Sequence, residues 1–306
     1  MANQEQPPVT TSPFWALVRI TRPWNVLMVV VAMLLIKQAW IAPILSAEVL
    51  SVNQLNFAFS ALVMALLAAG GNVINDYFDI AEDVINKPRR ALVGRVISRR
   101  KTMAWHIALS GLATGGSIWL SIRMGSPTPF IWCAAVGTLL GGYSPWFKRR
   151  FLRGNLIIAL TVGQLPFWCL VGMIPVDQWH AFFWTPNGIG LASYALLSAY
   201  FTFVREVTKD LQDAEGDRLA QYDTLAVRWG NERTIRLLQA LHALGWFVLL
   251  TTAAGAVIWL KSSWQVVLFL GPHLGAHVQL TRRQMTSVSA WQKLTLAGGL
   301  LFLAVL

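Results

Sequence analysis

Two stretches decide how this chain folds. They are Asn72-Val73-Ile74-Asn75-Asp76-Tyr77-Phe78-Asp79, continuing to Asp83, and Glu206-Val207-Thr208-Lys209-Asp210, continuing through Asp213 to Asp217. The chain has only 14 Asp and Glu in 306 residues, and nine of them lie between Asp76 and Asp83 or between Glu206 and Asp217. Asn72, Asp76, Asp79 and Asp83 share their spacing with Glu206, Asp210, Asp213 and Asp217, shifted by 134 residues throughout. At about 100° per residue, each quartet falls within roughly a 60° arc of a helix. Each window also ends a long apolar run. A stripe of carboxylates at such a place needs neutralising, and divalent metal bridging to phosphate is the chemistry that suits it.

Around the windows the composition is that of a membrane protein. Hydrophobic residues make up 55%, charged residues 13%, and mean hydropathy is +0.52, well outside soluble globular usage. Apolar runs at 24–45, 55–75, 102–122, 128–143, 155–175, 187–204, 236–260, 264–281 and 287–306 predict nine spans. With the N-terminus in the cytoplasm, 22 of the 25 Lys and Arg fall on the cytoplasmic side, and Lys37, Arg123 and Lys261 fall elsewhere. The positive-inside rule then predicts a cytoplasmic N-terminus, both acidic windows cytoplasmic, and Asp177 and the C-terminus on the opposite side. The net charge of +11 is accounted for by topology, and no nucleic-acid partner is expected.

The whole of 1–306 reads as one membrane-embedded domain, with 1–13 as a flexible tail and no cleavable leader expected. Cys133 and Cys169 lie inside spans and read as packing residues. Trp near the span ends reads as an interfacial belt. His106, His242, His273 and His277 do not form a ligand set and read as buried packing, and Lys37 as a snorkelling side chain.

Asn75-Asp76-x-x-Asp79-x-x-x-Asp83 resembles the N-D-x-x-D-x-x-x-D signature of the UbiA superfamily of intramembrane prenyltransferases. Asp213-x-x-x-Asp217, with Asp210 before it, resembles that family's D-x-x-x-D motif, and Thr224-Leu225 closes the second block as such blocks close. The resemblance covers essentially the whole chain and implies an all-α bundle of nine transmembrane helices. It also implies a Mg²⁺-dependent transfer from a prenyl diphosphate donor to a lipophilic acceptor. On it, Asp76, Asp79, Asp83, Asp210, Asp213 and Asp217 become the metal and diphosphate ligands. Asn25, Asn72, Asn75, Arg90, Tyr143, Lys148, Arg205 and Lys209 become the substrate-binding residues. Tyr143 and Lys148 match a Y-x-x-x-K element with one residue more between them.

The stretch from Asn86-Lys87-Pro88-Arg89-Arg90 to Val93-Gly94-Arg95 looks more like the geranylgeranylglycerol-phosphate geranylgeranyltransferase members than the hydroxybenzoate enzymes. Seven cations between Lys87 and Lys101 would suit an acceptor phosphate. Two alternatives stand beside this reading. One is prenylation of an aromatic quinone precursor, hydroxybenzoate or dihydroxynaphthoate in type. The other is an ion-coupled transporter, although transporters place their sites near the bilayer midplane rather than at one face. The expected location is the cell (inner) membrane, among its lipids, with the active site facing the cytoplasm.

Overall fold

Ser46, Ser98 and Thr185 each stand immediately before a long helix and accept a backbone N–H with the side-chain hydroxyl, from Val49, Lys101 and Gly188 respectively. Such caps satisfy donors that the first helical turn leaves open. They open three of the four longest described helices of a computed structural model that describes residues 11–80, 91–260 and 267–305. Its helices are α1 (Pro13–Ile20), α2 (Pro23–Ile36), α3 (Ala47–Phe78), α4 (Arg99–Met124), α5 (Thr128–Gly142), α6 (Arg153–Gly163), α7 (Leu165–Trp168), α8 (Trp179–Phe183), α9 (Pro186–Leu219), α10 (Leu225–Trp229), α11 (Asn231–Leu260), α12 (Val267–Thr281) and α13 (Met285–Ala304). The fold is all-α, and among the described residues the β structure is limited to one isolated bridge, Val93 with Ile97.

Among the described residues, four stretches are long and apolar enough to cross a membrane: Pro23–Ile44, Ala47–Phe78, Pro186–Leu219 and Asn231–Thr251. Of the other segments read as spans, 102–122 lies within α4, 128–143 is mostly α5, and α12 and α13 cover nearly all of the described parts of 264–281 and 287–306. The fifth departs most from expectation: 155–175 is not one helix. It stops at Gly163, restarts at Leu165–Trp168 and continues as turns. Pro166 cannot donate into the ladder, and Gly172 takes φ +84 with its Cβ position 3.1 Å from the Asn56 backbone, so only glycine fits there. The expected 1–13 tail also ends earlier, because Ser12 caps α1 and Pro13 is its first residue; residues 1–10 lie outside the described chain. Lys37 opens a π turn, Lys37–Ile41, rather than continuing α2.

The chain divides into two compact units. One takes in residues up to Leu34, Leu45–Phe147 and Trp168–Phe182; the other takes in Leu35–Ile44, Lys148–Phe167 and Phe183–Leu306. In the first, α3 packs along α4, and a core of Ala16, Ile20, Ala69, Val73, Leu92, Val93, Ile97 and Leu109 gathers beside it. The turn after α7 is buried there: Trp168 is wholly enclosed and donates its ring N–H to the Ser60 carbonyl at 2.9 Å. Arg123 donates to Asn56 at 2.6 Å. Cys133 and Cys169 are buried and free, as packing residues.

In the second unit α9 packs on α6, and α13 lies against α12. A Cβ on Gly298 would come 2.0 Å from the Leu268 carbonyl oxygen, so that approach admits glycine alone. Val204, Val207, Leu225, Leu238, Leu280 and Val288 form the core. His242 and His273 are buried, stacked at 4.9 Å and 7°, and the His273 ring meets the His242 carbonyl at 3.2 Å. Gln292 donates to Thr208 at 2.8 Å. These histidines belong to a polar core network.

Candidate active site

The first acidic window lies at the C-terminal end of α3, in the first unit. Asn72 and Asp76 are four residues apart, so they share a helix face. Both hold the joint between α1 and α2. Asn72 donates to the Thr21 carbonyl at 2.9 Å, and Asp76 accepts from Arg22 at 2.6 Å. Arg22 takes the left-handed φ of +54, which is uncommon for a non-glycine residue, immediately before Pro23. The turn therefore aims a guanidinium at the first carboxylate of the motif. Asn25 lies exposed on the first turn of α2. The Asn75 side-chain oxygen accepts the Ser144 hydroxyl at 2.9 Å.

α3 does not carry the window to its end. It stops at Phe78, with Asp79 as its C-cap at φ −88, ψ 11, its N–H still bonded to the Asn75 carbonyl. Of the predicted helical stripe, Asn72 and Asp76 thus lie within α3 and Asp79 caps it. Aspartate disfavours the helix interior, since its carboxylate competes for nearby backbone groups. Asp83 and Arg90 lie outside the described residues. Asp76, Ile80, Ala91, Leu92 and Val93 line a small cavity beside this end of the helix. The Arg99 guanidinium lies over the Tyr77 ring at 4.8 Å, a cation–π distance, bringing the first turn of α4 to the window. Tyr143 opens a π turn, Tyr143–Phe147, at the end of α5.

The second window is a continuous helical stripe, on the last turns of α9. Its upper member, Glu206, is buried and receives both Arg205 at 2.8 Å and Lys209 at 2.9 Å. Two cations on one carboxylate leave the trio a single positive charge. One turn further on, Asp210 accepts from the neutral Asn155 of α6 at 3.1 Å. Asp213 is exposed and Asp217 half-buried. α9 ends where Gln221 turns back with φ +57, and Tyr222 then bonds the Asp217 carbonyl at 2.8 Å. Lys148 lies in this second unit, half-buried just past the π turn.

Three partners escaped the sequence reading: Arg22, Ser144 and Asn155. Glu206 belonged to the stripe, and its pairing with Arg205 and Lys209 was one of two readings the sequence left open, since Lys209 stands three residues on, at helical contact spacing. A cue existed for Asn155, a carboxamide at the start of an apolar run.

Among the described residues no three His, Cys, Asp or Glu side chains converge into a metal-ligating group. The donors nevertheless suit magnesium in kind, since it prefers oxygen and takes one or two carboxylates alongside substrate phosphates and water. On α9 the nearby cations are engaged by Glu206, and a neutral amide holds Asp210.

The sequence profile described as the UbiA prenyltransferase family matches residues 25–305. A digeranylgeranylglyceryl phosphate synthase of Hyperthermus butylicus is 32% identical over 218 residues, covering 70% of this chain and 67% of the relative. In two other relatives of that description, from Methanoregula boonei and Halobacterium salinarum, the aligned part is 56% and 78% of the relative's length. Among solved structures, one described as a digeranylgeranylglyceryl phosphate synthase in membranes gives a TM-score of 0.66 at 20% identity, over 96% of this chain and 99% of that one. A homologue from Archaeoglobus fulgidus, bound to DMAPP and Mg²⁺, gives 0.57 at 15% identity, over 95% and 99%. At these identities the structural matches speak for the fold.

Proposed function

Because the chain belongs to the UbiA prenyltransferase family, we propose that it carries a geranylgeranyl group from its diphosphate to the hydroxyl of geranylgeranylglycerol phosphate. That it is a membrane prenyltransferase follows from the family itself, which also sets the transporter alternative aside. The acceptor rests on one observation beyond the relatives' names. Arg99, Arg100 and Lys101 occupy the first turn of α4, where the helix dipole opposes positive charge, and Arg99 leans over Tyr77 beside Asp76. Cations gathered against the dipole at that place favour an anionic acceptor.

In this reading the allylic carbon–oxygen bond breaks with its electron pair leaving on diphosphate. The acceptor hydroxyl oxygen then closes an ether at that carbon, and its proton passes to the released diphosphate. Asp76, Asp79, Asp83, Asp210, Asp213 and Asp217 would hold magnesium, which when bound neutralises the leaving diphosphate. Asn75, Tyr143, Lys148 and Arg90 would contact the diphosphate, as would Asn25 at the entrance of α2. The Arg205, Glu206 and Lys209 trio adds its one positive charge beside Asp210. Asn72, engaged with the Thr21 carbonyl, acts by holding the α1–α2 joint. The chain works as one prenyltransferase domain of nine spans in the cell membrane.

An assay with geranylgeranyl diphosphate and equal concentrations of geranylgeranylglyceryl phosphate and 4-hydroxybenzoate or dihydroxynaphthoate separates the acceptors. The lipid phosphate should be consumed. Prenylation of the aromatic compound alone would move the assignment to a quinone precursor. Orientation is tested by cysteine labelling in a background without Cys133 and Cys169. A membrane-impermeant thiol reagent should reach Asp177→Cys from outside intact cells and spare Asn86→Cys; the opposite pattern inverts the topology.

A further inference from the structure

The gap between Tyr143 and Lys148 is one residue longer than Y-x-x-x-K, and the backbone accounts for the extra residue. Tyr143–Phe147 forms a π turn at the end of α5. A turn closed i→i+5 takes up one residue more than an α turn, and such turns occur frequently at functional sites. Gly142 makes room for it, since a Cβ there would lie 2.8 Å from the Trp146 ring. The residue that the turn carries inward is Ser144. It is 1% exposed, and its hydroxyl donates to the Asn75 side-chain oxygen at 2.9 Å. The two residues are 69 positions apart, on α3 and on the turn after α5.

We propose that Ser144 is a positioning residue for the transfer reaction, acting through Asn75. A carboxamide has one accepting and one donating end. With its oxygen taken by Ser144, Asn75 is held with the NH₂ as the end that can donate to a diphosphate oxygen. Without the hydroxyl the amide can rotate by half a turn and present its oxygen, which repels a diphosphate. The π turn is what places the hydroxyl there, so the one-residue insertion becomes part of the site. This rests on the prenyl diphosphate reading, and it assigns Ser144 no contact with substrate.

The test is a double-mutant cycle of Ser144→Ala and Asn75→Ala, read both as kcat and as affinity for geranylgeranyl diphosphate with Mg²⁺, with Ser144→Thr as the hydroxyl-retaining variant. Ser144→Ala should lower kcat about tenfold and leave the acceptor KM within about twofold, since one hydrogen bond oriented toward the reacting group is lost. Ser144→Thr should restore most of that loss. In the Asn75→Ala background, Ser144→Ala should have no further effect. Wild-type behaviour of Ser144→Ala, or losses that add in the cycle, would overturn the proposal. If the wild type transfers no prenyl group, the functional reading fails on its own; the cycle is then decided on diphosphate affinity, where additivity again rejects Ser144.

Discussion

Asp76→Asn and Asp217→Asn are each expected to slow turnover at least about a hundredfold, equivalent to 2.7 kcal/mol of transition-state stabilisation. Both substitutions keep size and one oxygen while removing the negative charge. Asp76 accepts from Arg22 at 2.6 Å, and asparagine still offers that guanidinium an acceptor. The α1–α2 joint should therefore persist while the metal-binding charge is lost. Asp217 stands on the last turn of α9, with its backbone carbonyl accepting the Tyr222 N–H, a bond the substitution leaves alone. Insertion into the membrane and the melting temperature should stay close to wild type. Chelation of divalent cations should abolish turnover, and added magnesium should restore it. Undiminished transfer in excess EDTA, with bound metal measured and absent, would reject carboxylate-held magnesium, and wild-type turnover of either variant would remove that residue from the site.

The second large effect is on stability. Glu206 has 8% of its side chain exposed and carries Arg205 and Lys209. Removing one partner of a buried ion pair leaves uncompensated charge. Here Lys209 keeps 40% of its side chain exposed, so water can screen part of the loss. Glu206→Gln is then expected to cost about 3 kcal/mol, the low end of the range for such pairs. Thermal unfolding in detergent reads it directly. Glu206→Gln combined with Lys209→Met should recover much of the loss, because the stranded ammonium is gone. A Glu206→Gln protein that melts with the wild type would show that the trio contributes no net stability.

Much of this protein is legible in the chain. Asn75-Asp76-x-x-Asp79 and Asp213-x-x-x-Asp217 are local patterns, and a 3.6-residue period together with long apolar runs makes α3 and α9 helices wherever they pack. Membership of an all-α membrane prenyltransferase family follows from those features, and the family profile agrees over 25–305. Other details depend on which helices touch. The end of α3 at Phe78 and the break after Gly163 run against the periodicity, because Asp79 and Pro166 weigh against it only one residue at a time.

The contacts that shape the site are longer in range still. Arg22 reaches Asp76 across 54 residues, Ser144 reaches Asn75 across 69, and Asn155 reaches Asp210 across 55. None of these pairs has a spacing that a pattern could register. They form because α1, the π turn and α6 are packed against the polar ends of α3 and α9, and packing of that kind is settled by shape, at glycines and turns, rather than by period. The carboxylates and their helices were thus determined by the sequence alone. Which partner each carboxylate and amide holds was decided only by the tertiary structure, since a hydrogen bond forms only where the folded backbone brings its two groups within about 3 Å.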